Sequence, residues 1–289
     1  MMRLRCYAKL NLSLDITGKR PDGYHELDGI MQSISLSDTV EIECADGIAT
    51  SFDVPDIDPA DNTAYAAARA FFDHTGIAGG ADIRVSKRIP RMSGLGGASA
   101  NAAAVLVGLN RLYGADLDAQ TLAILGARIG ADVPFALLGG TARARGIGEV
   151  LRPLRLKTPF FAVVVKPRAG VPTAEAFRRY RASAPLSISM VEFALMKGDI
   201  PLFEQYAGNA LGIAALSIAP QILNAASALK AAGAGKALMS GSGSAMFALF
   251  ATLEEAQAAA SRVEGDFELC AAVSFMDRAI DILWEGNNK

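Results

Sequence analysis

The chain has 289 residues, of which 51% are hydrophobic and 20% are charged, and its net charge is −2 at pH 7. This composition is typical of a folded protein with ample core material, and the length suffices for one large or two ordinary domains. A net charge so close to zero gives no support for a nucleic-acid partner or an anionic membrane surface, and two histidines are too few to favour a multi-histidine zinc site.

The three cysteines, Cys6, Cys44 and Cys270, stand far apart and are interpreted as reduced core residues of a cytosolic protein. The N-terminal stretch has no uninterrupted apolar core, and no run of about 18 apolar residues occurs anywhere. The sequence therefore predicts a cytoplasmic protein with no membrane partner and no nucleic-acid partner. It does not choose between a monomer and a homodimer.

The first predicted element is a long strand over residues 4–16, where apolar and polar side chains alternate strictly. Lys9 and Asn11 share the polar face and lie about 7 Å apart by strand geometry. The simpler interpretation of that face is that it is solvated, and the functional one is that it lines a cleft.

The strand ends in a turn-forming stretch, after which Tyr24 and His25 stand side by side. An aromatic ring next to an imidazole could stack on a base and hydrogen-bond its edge. From spacing alone, an exposed turn is the better interpretation of the pair. Two further strands are predicted at 30–36 and 39–44, and Asn62 or Thr63 is predicted to cap the helix that follows them, capping being the simple interpretation of Asn62.

The most informative stretch is 87–113, KRIPRMSGLGGASANAAAVLVGLNRLY, in which a glycine loop leads from a predicted strand into an alanine-rich helix. Gly94, Gly96 and Gly97 let the backbone approach a ligand closely. The helix start adds unpaired N–H groups and a positive dipole end, so the stretch is suited to phosphate. It lacks the Gly-Lys-Ser/Thr of a Walker loop and the spacing of a dinucleotide fingerprint. A tight turn with Ser99 as helix cap explains the residues equally well.

Asp132 follows a further predicted helix, with Pro134 two residues beyond it, so a helix N-cap is as good an interpretation as a functional one. Residues 151–159 are basic, contain two prolines and are interpreted as a linker, which divides the chain into domains at 1–155 and 156–289. The later segments follow the order strand, helices, strand, strand, helix, strand, which is that of a ferredoxin-like split unit. Its helices are predicted to include 189–197, 201–216 and 219–232, and its last strand 269–275.

Residues Pro90–Ala100, PRMSGLGGASA, with the Asn-Ala-Ala that follows, resemble the ATP loop of the GHMP kinase superfamily, named for galactokinase, homoserine kinase, mevalonate kinase and phosphomevalonate kinase. AKLNLSLDITGKRPDGYHEL and GADVPF resemble motifs of the branch that phosphorylates 4-diphosphocytidyl-2-C-methyl-D-erythritol. The resemblance extends over essentially the whole chain. It implies an α+β fold of two domains, an N-terminal domain like ribosomal protein S5 and a ferredoxin-like C-terminal domain.

This resemblance implies ATP-dependent phosphorylation of the 2-hydroxyl of that substrate, a step of non-mevalonate isoprenoid precursor biosynthesis. ATP is the implied co-substrate and Mg²⁺ is expected with it, although no carboxylate cluster predicts protein ligands for the metal. Lys9 and Asp132 are implied as the catalytic pair, and Asn11 as the residue that orients the hydroxyl. The residues implied on the cytidine side of the substrate are Tyr24, His25, Thr173 and Phe177. The implied ATP-binding residues are Asn62, Lys87, Pro90, Arg91, Met92, Ser93, Gly94, Leu95, Gly96, Gly97, Ala98, Ser99 and Ala100.

The loop departs from the family pattern, GLGGGSSNAA, at Ala98 and Ala100. Ala98 implies a negative φ at its position. Ala100 removes a hydroxyl, so Ser99 or the backbone must make any contact expected there. The loop Ser240–Ser244 resembles the superfamily's third glycine motif and is expected to close over the phosphates.

Two alternatives stay open. One is a GHMP kinase for another small alcohol, such as homoserine or mevalonate. The Tyr24-His25 pair argues against it, because those substrates carry no base. The other is a non-catalytic binding protein of the same fold, and the presence of both Lys9 and Asp132 argues against it.

Overall fold

The computed structural model describes residues 1–55, 62–157 and 160–286, and within these ranges the chain forms two β-sheets with helices packed on them. The strands of the first sheet are β1 (Met2–Lys19), β2 (His25–Ala45), β3 (Ala49–Phe52), β4 (Gly80–Ser86), β5 (Thr141–Gly146), β6 (Val150–Leu154) and β11 (Ile280–Glu285). The strands of the second sheet are β7 (Phe161–Pro167), β8 (Leu238–Met239), β9 (Met246–Phe250) and β10 (Phe267–Ser274). The helices are α1 (Thr63–Thr75), α2 (Gly97–Leu112), α3 (Ala119–Ile129), α4 (Val133–Leu138), α5 (Thr173–Arg179), α6 (Ile188–Lys197), α7 (Ile200–Tyr206), α8 (Gly212–Ile218), α9 (Ile222–Ala231) and α10 (Leu253–Arg262).

The long antiparallel strands β1 and β2 form the centre of the first sheet, whose strand order is β11-β1-β2-β4-β3. β5 also pairs with β2, and β6 pairs with β5. The two strands predicted at 30–36 and 39–44 are one strand. The pairing with β1 does not stop between them, because Ser37 pairs with Tyr7 and Ile34 pairs with Ala8 across a register shift. The chain therefore bulges at this point and does not turn.

The polar face of β1 is buried. Lys9, Asn11, Ser13 and Asp15 are at most 7% exposed. The interpretation of this face as solvated is wrong, because loops from elsewhere in the chain cover it. Ser13 Oγ donates a hydrogen bond to Gly208 O at 3.0 Å, for example. The functional interpretation holds for Lys9 and Asn11, which line a cavity, whereas Ser13 and Asp15 are not among its lining residues.

The second sheet has the order β10-β7-β9-β8, so the chain order of its four strands reads 4-1-3-2, with α9 and α10 packed against it. This confirms the predicted ferredoxin-like unit. The helix predicted at 201–216 is two helices, α7 and α8. Their break lies beside β1, where Leu14 N donates to Gly208 O at 3.0 Å and Ala210 N donates to Leu14 O at 2.9 Å. Backbone groups that a continuous helix would use are thus paired with a strand.

The linker prediction is wrong for residues 151–154, which belong to β6, and residues 158 and 159 lie outside the described residues. β6 pairs with β5 alone, and Pro153 is tolerated because an edge strand does not need every N–H for its ladder. The division at residue 155 stays a proposal, with one correction. β11 pairs with β1, so the end of the predicted C-terminal domain lies in the first sheet.

One apolar core continues across that proposed division. Its buried members include Leu4 of β1 and Leu106 of α2 on one side, and Val191 of α6 and Phe247 of β9 on the other. The two units therefore share a buried surface, and the position of one fixes the position of the other.

The prediction that all three cysteines lie in the core is wrong for two of them. Cys44 and Cys270 are exposed, whereas Cys6 is buried, and burial raises the pKa of the Cys6 thiol to about 12. Within the described ranges no single helix is long and apolar enough to cross a membrane. The bent pair α8 and α9, which meet at 115°, reaches that length and composition only when both are counted together.

Candidate active site

A cavity of about 760 Å³ lies between the polar face of β1, the glycine loop and loops of the second unit. Its lining brings together Lys9, Asn11 and Asp132 with Thr173 and Phe177. The residues of the predicted ATP-binding set that line it are Lys87, Pro90, Arg91, Met92, Ser93, Gly94, Gly96, Gly97, Ala98 and Ser99. Residues predicted for catalysis and phosphate binding therefore share one cavity with two of the four residues predicted for the cytidine side, whereas Tyr24 and His25 are not among its lining residues.

Lys9 and Asp132 face each other in this cavity. Lys9 Nζ lies 3.3 Å from Asp132 Oδ2 and also donates a hydrogen bond to Asn11 Oδ1. Their side chains are 8% and 32% exposed respectively, so the lysine is enclosed and the carboxylate is accessible. The backbone N–H of Lys9 donates to Leu95 O at 2.9 Å, which joins β1 to the glycine loop.

Asp132 occupies the N-cap position of α4, but its carboxylate makes no capping hydrogen bond among the described residues. Of the first two N–H positions of the helix, Val133 N donates to Gly130 O at 3.0 Å and Pro134 has no N–H to offer. The capping interpretation is therefore wrong for the side chain, which points at Lys9.

The glycines of the loop allow two close approaches. A Cβ at Gly96 (φ 73°) would lie 2.9 Å from Lys9 Cγ, and a Cβ at Gly94 (φ 76°) would lie 2.0 Å from Ser240 O. Gly96 is also the N-cap of α2, so the prediction of Ser99 as the cap is wrong, and Ser99 lies inside the helix.

Three other loop positions, Leu95, Ala98 and Ala100, differ in whether their side chains face the cavity or the core. Ala98 lies within α2 with a negative φ, as predicted. Leu95 and Ala100 are buried in the core, at 0% and 2% exposure, and are not among the residues that line the cavity. The side chain at position 100 therefore faces the core. The family pattern has a serine at this position, and its replacement by Ala100 removes a hydroxyl from the core-facing side of the helix.

The loop Ser240–Ser244 contacts the other two segments of the site. Ser240 Oγ accepts a hydrogen bond from Asn11 N at 3.1 Å and donates one to Gly94 O at 2.9 Å. Ser242 Oγ bonds Thr173 Oγ1 at 2.9 Å. The role of Ser240 was missed by sequence reasoning, although its loop had been singled out, because the bridge depends on residues that are far away in the chain.

His25 stacks on Phe177, with ring centroids 5.4 Å apart and planes inclined by 25°, and meets the edge of Tyr180 at 5.7 Å. Burial, with a smaller contribution from the charge of Lys19, lowers the pKa of His25 from its usual 6.5. The ring is therefore neutral at pH 7, with one nitrogen that donates and one that accepts. Tyr24 is 60% exposed in the preceding turn, apart from this stack.

Asn62 is the N-cap of α1, as the simpler interpretation predicted. Its Oδ1 accepts from Tyr65 N at 3.0 Å, and its Nδ2 donates to Thr50 Oγ1 at 2.7 Å. Its neighbour Thr63 lines the cavity, whereas Asn62 is not among the lining residues. A contact between Asn62 and ATP stays a prediction.

Lys87 directly follows β4, and its Nζ lies near the start of α2, where it donates to Asp38 and, at 3.0 Å, to Asn101 Oδ1. Asn101 lines the cavity and Asp38 lies beneath it. Neither residue was predicted as part of the site. Asn101 follows directly on the loop that carries the family resemblance, which could have indicated it, whereas nothing in the strand pattern distinguishes Asp38.

Comparison with known proteins assigns the chain to a family. The family model for the N-terminal domain of GHMP kinases matches residues 62–140, and the model for the C-terminal domain of GHMP kinases matches residues 192–269. The 4-diphosphocytidyl-2-C-methyl-D-erythritol kinase of Carboxydothermus hydrogenoformans is 46% identical over 86% of this chain and 88% of its own. The enzyme of the same name from Pelotomaculum thermopropionicum is 42% identical over 88% and 91%.

A solved structure extends the comparison to three dimensions. The crystal structure of a 4-(cytidine 5'-diphospho)-2C-methyl-D-erythritol kinase has a TM-score of 0.80 and 37% sequence identity, and the alignment covers 95% of this chain and 99% of that one. With two matching family models and relatives at this identity over nearly the whole length, the conclusion is direct. The chain belongs to the GHMP kinases and, within them, to the 4-diphosphocytidyl-2-C-methyl-D-erythritol kinase family.

Proposed function

We propose that this chain transfers the γ-phosphoryl group of ATP to the 2-hydroxyl of 4-diphosphocytidyl-2-C-methyl-D-erythritol, giving the 2-phosphate and ADP in non-mevalonate isoprenoid precursor biosynthesis. The observation that carries the proposal is the single cavity in which Lys9, Asp132 and the glycine loop meet Thr173 and Phe177. Kinases for homoserine or mevalonate would have no use for the His25–Phe177 stack, and a binding protein would have no use for the Lys9–Asp132 pair.

In the proposed reaction, Asp132 accepts the proton of the substrate hydroxyl. A new bond then forms between the hydroxyl oxygen and the γ-phosphorus, and the bond from that phosphorus to the bridging oxygen breaks, so that ADP leaves. The ammonium of Lys9, 3.3 Å from Asp132, stabilises negative charge on the attacking oxygen. Because Asn11 Oδ1 already accepts from Lys9, its amide N–H₂ is the end that can orient the hydroxyl.

The phosphate groups of ATP are assigned to the glycine loop and the N-terminus of α2, a helix of 16 residues whose first N–H groups are unpaired within the helix. Positioning and charge neutralisation contribute most of the catalysis in phosphoryl transfer. The loop Ser240–Ser244, bonded to Asn11 and Gly94, is placed to enclose the phosphates from the second unit.

Mg²⁺ is the metal expected with ATP, and the residues of this cavity fit it. Mg²⁺ keeps several waters and is usually held by one or two carboxylates together with substrate phosphates. Among the described residues there is no group of three or more His, Cys, Asp or Glu side chains suited to a metal. The oxygen groups that line the cavity, the Asp132 carboxylate and the Ser99 hydroxyl, are of the kind that would hold Mg²⁺ together with the phosphates of ATP. Bound there, Mg²⁺ would neutralise phosphate charge.

The cytosine is assigned to the side of the cavity where His25 stacks on Phe177. A neutral imidazole can donate to and accept from the edge of a base, and the exposed ring of Tyr24 offers a face for stacking. Thr173 joins this side to Ser242 of the phosphate side. A cytoplasmic location and a monomeric or homodimeric state stay predictions.

The test is release of ADP from ATP and Mg²⁺ by the purified protein, with 4-diphosphocytidyl-2-C-methyl-D-erythritol, homoserine and mevalonate offered in separate reactions. We expect ADP with the first acceptor alone. ADP with homoserine or mevalonate alone would support the other GHMP kinase activities, and no ADP with any acceptor would support a binding protein.

A further inference from the structure

A fully buried carboxylate lies beneath the glycine loop. Asp38 of β2 has 0% exposure, and each of its oxygens accepts two hydrogen bonds. Oδ1 accepts from the backbone N–H groups of Arg88 and Ile89, at 2.7 and 2.8 Å. Oδ2 accepts from Lys87 Nζ and, at 2.9 Å, from Asn101 Nδ2. A buried carboxylate needs this number of donors, because an unpaired one would be strongly disfavoured.

The donors come from the two ends of the ATP loop. Residues 87–89 stand directly before Pro90, and Asn101 stands directly after Ala100. One carboxylate therefore holds the segment that enters the loop and the second turn of the helix that leaves it.

Asp38 also fixes a cation. The side chain of Lys87 is 8% exposed and lines the cavity, and among the described residues its ammonium donates to Asp38 and Asn101. A Cβ at Gly97 would lie 3.1 Å from Lys87 Nζ, which places the ammonium against the first residue of α2. An ammonium has three donors, so one donor of Lys87 is left for a ligand in the cavity.

We propose that Asp38 is a positioning residue for ATP. It acts through Lys87 and through the two ends of the glycine loop, and it does not line the cavity itself. This inference rests on the proposed function, since the loop is assigned to ATP there. The expected consequence is selective: the loss of the Asp38 charge weakens ATP binding and leaves binding of the acceptor substrate nearly unchanged.

Asp38→Asn is the first variant. It keeps the shape of the side chain and one oxygen for the two backbone N–H groups, but it turns a donor toward Lys87 and Asn101. We expect KM for ATP to rise at least about tenfold, the effect of losing a charge-assisted hydrogen bond, while KM for the acceptor stays within about twofold.

Asp15→Asn is the matched control. Asp15 is also a buried carboxylate, 4% exposed, and accepts from the backbone N–H groups of Ile16 and Leu186, but it does not contact the loop. We expect this variant to lower the melting temperature and to leave both KM values unchanged. Equal changes in both KM values for Asp38→Asn, or a lowered melting temperature alone, would give Asp38 a merely structural role and overturn the inference.

Lys87→Met and the double variant with Asp38→Asn test whether Asp38 acts through the lysine. Lys87→Met should itself raise KM for ATP, and adding Asp38→Asn to it should raise KM by less than about twofold more. An unchanged KM for ATP in Lys87→Met would overturn the inference, and this test does not require Asp38→Asn to fold. The inference would also fail if the increases in KM for ATP of the two single variants multiplied in the double variant.

Calorimetric titration of each variant with Mg-ATP, without acceptor, separates the two proposals. If the wild-type protein binds ATP but releases no ADP with the diphosphocytidyl substrate, the proposed function fails and the role of Asp38 is still measured. If wild type and Asp38→Asn bind ATP equally, the role of Asp38 fails and the proposed function stands.

Discussion

On the phosphate side of the cavity, hydrogen bonds between buried groups join three segments that are far apart in the chain. Lys9 N bonds Leu95 O, and Ser240 Oγ bonds both Asn11 N and Gly94 O. On the cytidine side, the contacts are ring against ring, and Tyr24 is 60% exposed. Phosphoryl transfer depends on charged groups that are already positioned before the reaction, whereas a base can be recognised by side chains that change rotamer when it binds. The difference predicts that loss of Asp132 or of the Ser240 bridge lowers kcat, whereas damage to the cytidine side raises KM for the acceptor substrate.

Asp132→Asn should have the largest effect. Without a group that accepts the hydroxyl proton, we expect kcat to fall by about 10²- to 10⁴-fold, while calorimetry shows nearly unchanged affinity for the acceptor substrate. Asp118→Asn is the matched control, because Asp118 does cap its helix, with Oδ1 accepting from Thr121 N at 2.7 Å. If both variants lose stability and keep kcat, Asp132 has only a structural role.

Ser240→Ala should come next. It removes a hydroxyl with 0% exposure and leaves Asn11 N and Gly94 O without that partner, which costs about 1–3 kcal/mol for a buried group. We expect kcat to fall by about tenfold or more and both KM values to change less. Ser13→Ala provides the comparison, since Ser13 also joins β1 to the second unit, through Gly208. An equal loss of kcat in both variants would mean that inter-unit contacts in general, and not the bridge at the cavity, set the rate.

Phe177→Ala tests the other side of the comparison. Loss of the ring that stacks on His25 should raise KM for the acceptor substrate by about tenfold, since stacking of a base on an aromatic side chain contributes about 1–3 kcal/mol. KM for ATP should stay constant. Tyr24→Ala should raise the acceptor KM less than Phe177→Ala does, because Tyr24 is not part of the stack. A fall in kcat without a change in KM would contradict the separation of the two sides.

The smallest effect concerns pH. Burial lowers the pKa of His25 from its usual 6.5, so the ring is mainly neutral between pH 8 and 6.5 and becomes mainly protonated only at lower pH. We expect KM for the acceptor substrate to be constant from pH 8 to 6.5 and to rise by a few-fold at lower pH. His25→Gln, which hydrogen-bonds but does not titrate there, should show no such rise. A rise between pH 8 and 7 in the wild-type protein would contradict the lowered pKa.

Local patterns were sufficient for the elements whose residues interact mainly with near neighbours. The alternation in residues 4–16 predicted the central part of β1, and the capping box that begins α10 is a local pattern of the same kind, since Thr252 and Glu255 stand three residues apart. The site motifs were found for the same reason, because the glycine loop and the residues around Asp132 are continuous in sequence. Pattern alone, however, could not choose between a capping aspartate and one that faces Lys9.

The features that sequence reasoning missed depend on distant partners. Asn209 Nδ2 donates to Met239 O and Gly241 O at 2.8 Å, and this contact, across about 30 residues, lies at the break between α7 and α8. In the sequence, Asp38 has the pattern of an ordinary polar strand residue. Its role depends on hydrogen bonds from Lys87, Arg88 and Ile89, which are about 50 residues away in the chain. Propensity and periodicity carry no information about such pairs.

The return of β11 to the first sheet has a consequence for how the chain folds during synthesis. Residues Met2–Cys6 pair with residues Ile280–Glu285, so the partner of this edge of β1 leaves the ribosome after the whole second unit. Until then, the edge exposes unpaired N–H and C=O groups that can pair with another strand. A nascent chain, or a fragment that stops at residue 155, therefore carries an open strand edge that only the last strand closes, and aggregation competes with folding for as long as that edge stays open.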